Sequence, residues 1–152
     1  MKIVEVKTYS PVYPVKDPFS NAMRTTRERA FGLVEVITDA GITGWGEGAL
    51  TPARRALDAQ VIGRNPFDYE VIWEGLHKQG TDTAAISAVD IALWDIMGKA
   101  LMQPIHQLLG GAFRTRVQAY ATGLFRRERT DRTAALVDEA RGYVDEGFRA
   151  MK

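Results

Sequence analysis

Between Thr81 and Leu101 the chain carries apolar residues on almost every side of a helical wheel, among them Ala85, Ile86, Ala88, Val89, Ala92, Leu93, Ile96 and Met97. A helix apolar nearly all round belongs inside a protein, with other elements wrapped about it. Its many alanines let those neighbours come close. The preceding segments supply them. Residues 2–9 alternate polar and apolar, which predicts a strand with one buried face. Residues 31–38 and 42–47 predict two more strands. Asp39-Ala40-Gly41 joins them as a short glycine-containing turn, a hairpin signal. The expectation is a three-stranded antiparallel sheet. Residues 10–30 hold Pro11, Pro14 and Pro18, then a charged stretch from Arg24 to Arg29. They predict a long loop, of a length that is usually functional or disordered.

Helices follow the sheet. Thr51-Pro52 reads as an N-cap with proline at the first helical position, opening a helix that reaches about Ile62 before Gly63. Asn65-Pro66 repeats the signal for a second helix ending near Gly80. Pro104 opens a short helical turn, and Gly110-Gly111 ends this part of the chain. The remainder has a different pattern. Val117–Ala121 predicts a short strand. Thr130 or Asp131 then caps a helix with Leu136, Val137, Ala140, Tyr143 and Val144 on one face, stopped by Gly147. Phe148–Lys152 begins another strand. Strand, helix, strand in this order is a βαβ unit with parallel strands.

Other features exclude whole classes of function. The chain has no cysteine and only two histidines, His77 and His106, so thiolate chemistry, disulfides and multi-histidine metal sites are removed. Net charge is +1 with the basic residues scattered, which is no footprint for nucleic acid. No run of 18 apolar residues suggests a membrane span, and the alternating N-terminus does not read as a signal peptide. The cytoplasm is the default expectation. Gly44-Trp45-Gly46-Glu47-Gly48 is rich in glycine but ends a strand and does not run straight into a helix as a phosphate loop does. Asp90 and Asp95 are five apart on a helix, so their side chains diverge by about 140°; hydrogen bonding within the fold suits them better than paired acid–base work. Trp45, Trp73 and Trp94 read as core or interface anchors, and the two histidines as surface or structural residues.

Three motifs carry a family resemblance. Ala85-Ile-Ser-Ala-Val-Asp90-Ile-Ala-Leu-Trp94-Asp95-Ile-Met-Gly-Lys99, continuing to Gly110-Gly111, resembles the signature helix of the mandelate racemase / muconate lactonizing family of the enolase superfamily. Gly41-Ile-Thr-Gly-Trp45-Gly-Glu47 resembles the third strand of that family's capping sheet. Gly147-Phe-Arg-Ala-Met-Lys152 is similar to the approach to its Lys-x-Lys motif on the second barrel strand. The resemblance implies an α+β capping domain over residues 1–112, a three-stranded antiparallel sheet followed by a helical bundle. Residues 113–152 would then be the first βαβ unit of a truncated (β/α)8 barrel. A complete barrel takes roughly 250 residues, so most of one would be missing.

The resemblance also implies an activity: removal of the proton next to the carboxylate of a sugar acid or its lactone, giving an enediolate. A divalent metal beside a second cation best stabilises the charge that develops. The implied cofactor is Mg²⁺, held by acidic side chains on later barrel strands and by none within 1–152. Lys152 matches the first lysine of Lys-x-Lys, an auxiliary group beside a general base that would be residue 154. The segment Val117-Gln-Ala-Tyr120-Ala-Thr122-Gly123 with Phe125-Arg126-Arg127 resembles the first barrel strand and loop of the family's galactarolactone-type cycloisomerases. Acid-sugar dehydratases and racemases share much of that framework. The substrate-binding expectations are Asn21 and Arg24 in a lid loop over 16–30, Thr51 in a second lid element at 48–51, and Tyr120 and Thr122 at the end of the first barrel strand. The implied partners are a small sugar acid or lactone and further copies of the chain, with no nucleic acid and no membrane. The intact parent would be an isomerase or lyase and the 152 residues alone inactive. A non-catalytic binding or assembly module is the competing expectation from another class.

Overall fold

The computed structural model describes residues 1–48, 54–129 and 131–152, with the side chains of residues 54–57 left aside. Its elements are β1 (Ile3–Tyr9), β2 (Val12–Ser20), β3 (Thr25–Ala30), β4 (Leu33–Thr38), β5 (Thr43–Glu47), α1 (Arg54–Val61), α2 (Tyr69–Lys78), α3 (Thr83–Leu101), α4 (Ile105–Leu108), β6 (Arg126–Arg127) and α5 (Arg132–Asp145). They fall into two compact units. The first is Met1–Pro11 with Ala30–Ala112; the second is Val12–Arg29 with Phe113–Lys152. No described helix is long and apolar enough to cross a membrane.

In the first unit β1, β4 and β5 form the expected antiparallel sheet, in the order β1-β4-β5. Alternation puts Val34, Val36 and Thr38 of β4 inside. Thr38 is the one polar member, and its hydroxyl donates to the Ile42 carbonyl (2.8 Å) across the 39–41 turn. The core continues through Ile72 and Leu76 of α2 into Ile86, Val89, Leu93 and Ile96 of α3. Helix α3 is buried on most of its surface, though Ser87, Ile91 and Lys99 keep an exposed stripe. Asp82 caps it by accepting from the Ala84 N–H (2.9 Å).

The glycine-rich strand owes its composition to α3. A Cβ on Gly44, Gly46 or Gly48 would fall on the carbonyl oxygens of Ala92, Ala88 and Ala84 respectively. Two strand residues advance about 6.7 Å and four helical residues about 6.0 Å. Strand and helix therefore stay matched over three steps, with glycine against alanine at each. The far edge of β5 is also satisfied by α3: Asp95 accepts from the Trp45 N–H (2.9 Å), while Lys99 donates to the Thr43 carbonyl (2.7 Å) and to Asp95 (2.7 Å). Asp95 thus does the structural hydrogen bonding expected of it. Asp90 does not: it makes no hydrogen bond among the described residues, and burial raises its pKa.

Several expectations need correction. Residues 12–30 are no loop but two strands, β2 and β3, hydrogen-bonded neighbours in a second sheet of order β3-β2-β6. Pro14 and Pro18 are four apart, so the donors they lack lie on one edge of β2 and the other edge can still pair. Asn65-Pro66 starts a turn rather than a helix. The Asn65 side chain accepts from the Phe67 N–H (3.2 Å), and α2 begins only at Tyr69. Of the two places expected for the tryptophans, the core does not hold for Trp45 and Trp73, which are nearly half exposed and stacked on Tyr9 and His77; the interface alternative stays open for them. The Thr51-Pro52 cap and Thr130 lie outside the described residues, and Asp131 caps α5 by accepting from the Ala134 N–H (2.9 Å).

Candidate functional site

The second unit holds most of the expected site residues, and its backbone shows how. The Lys152 N–H donates to the Ala121 carbonyl (2.8 Å), the Ala121 N–H to the Ala150 carbonyl (3.0 Å) and the Gly123 N–H to the Lys152 carbonyl (2.8 Å). Ala121 and Met151 form a parallel bridge. The two strands of the βαβ unit are therefore neighbours and parallel. Their ladder is shorter and later than expected: it covers 121–123, and residues 117–120 make no strand pairing among the described residues.

Alternation then sorts the side chains. Ala121 is buried, and a Cβ on Gly123 would strike the Tyr143 hydroxyl on α5, so these two positions face that helix. Tyr120 and Thr122 point the other way and are exposed. Ala121 is paired with Met151, so Thr122 and Lys152 share a face. One open surface thus carries Tyr120, Thr122 and Lys152, turned away from α5.

At Leu124 the chain leaves this surface by a left-handed step (φ 58°), unusual for a bulky residue and a place where backbone strain is held. Glu139 on α5 secures the step. It accepts from the Leu124 N–H (3.2 Å), the Tyr143 hydroxyl (2.8 Å) and Arg127 Nη1 (2.8 Å). Burial works against its ionisation, but the hydrogen bonds from Tyr143 and Leu124 and the charge of Arg127 outweigh it, holding the carboxyl below its ordinary range. The hydrogen bond to Glu139, with burial adding to it, raises the Tyr143 phenol.

The hairpin of β2 and β3 belongs to this same unit. Its sheet is extended by β6, with Phe19 opposite Arg127 and Ser20 opposite Arg126. Phe19 packs on Phe125 (ring centroids 4.7 Å apart), with the Arg29 guanidinium over its ring. Asp17 pairs with both Arg127 and Arg129. At the tip, Asn21 uses its amide oxygen to accept from the N–H groups of Met23 and Arg24 (both 2.9 Å). Its side chain therefore builds the turn that presents Arg24 to solvent. Thr51 is outside the described residues. The ion-paired set of Asp17, Arg127 and Glu139 was missed in the sequence; the clustered charges from Arg126 to Arg132 were its available sign. Among the described residues, no three His, Asp or Glu side chains converge as a metal site requires.

Residues 3–110 match the model of the mandelate racemase / muconate lactonizing enzyme N-terminal domain. The chain belongs to that family. A curated relative, D-galactarolactone cycloisomerase of Agrobacterium fabrum, is 39% identical over the whole of this chain and 43% of its own length. D-galactonate dehydratase of Verminephrobacter eiseniae is 37% identical over 79% of the chain and 34% of its own length. Among solved structures of the superfamily, dipeptide epimerase of Enterococcus faecalis V583, complexed with Mg and a dipeptide, superposes with a TM-score of 0.80 at 28% identity, over 99% of this chain and 45% of that one. The chain spans less than half the length of the family members it matches.

Proposed function

We propose that residues 1–152 are the capping segment and first barrel strands of a Mg²⁺-dependent enzyme that removes the proton next to the carboxylate of a sugar acid or its lactone. The parent in this reading is a galactarolactone-type cycloisomerase, which opens the lactone by β-elimination. The observation that carries it is the parallel pairing of Ala121 with Met151, which sets Lys152 beside Thr122 on the face turned away from α5. In a barrel that face is the interior, and its C-terminal end is where active sites lie. A second lysine two residues on would share it. Lys152 would bind the substrate carboxylate and, as a neighbouring cation, lower the pKa of that second lysine so that it serves as base. Tyr120 and Thr122 would line the opening, and the hairpin tip with Asn21 and Arg24 would cover it, excluding water on closure.

The described residues do not fit the magnesium ion, because no cluster of carboxylates stands ready for an octahedral site. Its ligands in this reading belong to the rest of the parent. The domain division at residue 112 has the support of the family match over 3–110. The cycloisomerase is favoured over a dehydratase because its likeness runs through residue 152, whereas the dehydratase match covers 79% of the chain. The test compares the parent with the 152-residue chain on galactarolactone and galactonate. The parent should turn over the lactone with Mg²⁺ and lose at least about a hundredfold in kcat/KM with Lys152→Ala, since removing one group that stabilises the developing charge costs about 10²–10³. The chain alone should be inert. A parent that binds sugar acids but transforms none would favour a binding module.

A further inference from the structure

We propose that the second unit carries a binding site for a small organic anion, a carboxylate or phosphate ester on a short carbon skeleton, in the arginine-lined cavity against α5. The cavity is about 430 Å³, within the range of small-molecule pockets. Arg126, Arg127, Arg129 and Arg132 line it, facing two carboxylates, Asp17 and Glu139. Four cations against two anions leave two positive charges. Both carboxylates are already engaged, Asp17 by Arg127 and Arg129 and Glu139 by Arg127. Arg126 and Arg132 form no ion pair or hydrogen bond through their side chains among the described residues.

One further observation points to an absent acceptor. Arg132 opens α5, where the helix dipole already adds positive charge, and only the capping Asp131 offsets it. Guanidinium groups bind carboxylate and phosphate oxygens in pairs of hydrogen bonds. The remaining wall is apolar, formed by Phe125, Ala135 and Leu136. That combination suits a ligand with a carbon body better than a bare ion. The site uses none of Tyr120, Thr122 or Lys152, so it stands or falls independently of the enzyme reading.

Calorimetric or NMR titration of the 152-residue chain at low ionic strength tests it, with galactarate, glucose 6-phosphate and inorganic phosphate as probes. Saturable binding of one organic anion is expected, at least tenfold weaker for Arg126→Gln/Arg132→Gln and unchanged for the control pair Arg141→Gln/Arg149→Gln. Whichever organic probe binds more tightly identifies the anion as carboxylate or phosphate ester. Arg126 and Arg132 are exposed, so their loss should leave the far-UV circular dichroism intact. Leu136→Trp, which fills the cavity without touching its charges, should weaken binding as well. No saturable binding at millimolar concentration, equal affinity for inorganic phosphate, or equal loss in the control pair would overturn the site.

Discussion

Replacing Gly46 with alanine inserts one methyl group where β5 and α3 meet backbone to backbone. The new Cβ would fall on the Ala88 carbonyl oxygen, and Ala92 N, one turn further along the same helix, lies 3.0 Å away. Neither atom belongs to a flexible side chain, so strand or helix must withdraw by roughly an ångström. That movement would disturb Gly44 and Gly48, which hold the same spacing, and the Asp95–Trp45 hydrogen bond between the two elements. Overpacking a close-packed interior costs about 1–3 kcal/mol, and with helix backbone rather than a movable side chain in the way the upper end, about 3 kcal/mol, is expected. For a chain of this size that lowers Tm by about 6–12 °C. Urea titration followed by circular dichroism measures it, with Gly142→Ala as the comparison. Gly142 lies in α5 with nothing near its missing Cβ, so alanine there should add about 0.5–1 kcal/mol. A Gly46→Ala protein within about 0.5 kcal/mol of the parent sequence, the range of ordinary surface changes, would refute the close-packing account of the glycine-rich strand.

Other perturbations should read out separately. Met102 ends α3 in the left-handed region (φ 52°) with its side chain exposed, so Met102→Gly should stabilise the chain by about 0.5–1 kcal/mol in the same titration. Glu139 has its carboxyl pKa lowered in the fold, so its contribution is complete above the unfolded glutamate value and is lost as pH falls through the folded one. Stability should therefore decline below about pH 4.5, and Glu139→Gln should flatten that limb while lowering stability at neutral pH. A pH–stability curve of unchanged shape in the variant would count against the Glu139–Tyr143–Arg127 arrangement.

Much of the first unit could be read from local pattern. Period-two alternation marked β1, β4 and β5, and the all-round apolar run marked α3, because burial against one neighbour leaves a periodic trace in the sequence. The hairpin could not be read that way. β2 carries two prolines and is exposed along much of its length, and its second partner, β6, lies more than a hundred residues further on. Pairing of that kind leaves no local signature. For the same reason the strand expected at Val117–Ala121 came out displaced: a strand exists where a partner supplies hydrogen bonds, and residues 150–152 reach only 121–123. The site residues were placed by motif, and the bridge at Ala121 explains why Thr122 and Lys152 come together. The Asn21 oxygen's part in the turn that carries Arg24 left no sign in the sequence. The aspartates show how spacing can be right and chemistry still differ, since Asp95 ties down the β5 edge while Asp90, five residues earlier, makes no hydrogen bond among the described residues.

The most direct test of the central claim is deuterium exchange at the carbon next to the substrate carboxylate, followed by proton NMR in D₂O with galactarolactone and Mg²⁺. The parent protein should label that carbon or its elimination product, the Lys152→Ala parent should do so far more slowly, and residues 1–152 alone should leave it protonated. Exchange catalysed by the 152-residue chain would contradict the placement of the proton-abstracting groups outside it.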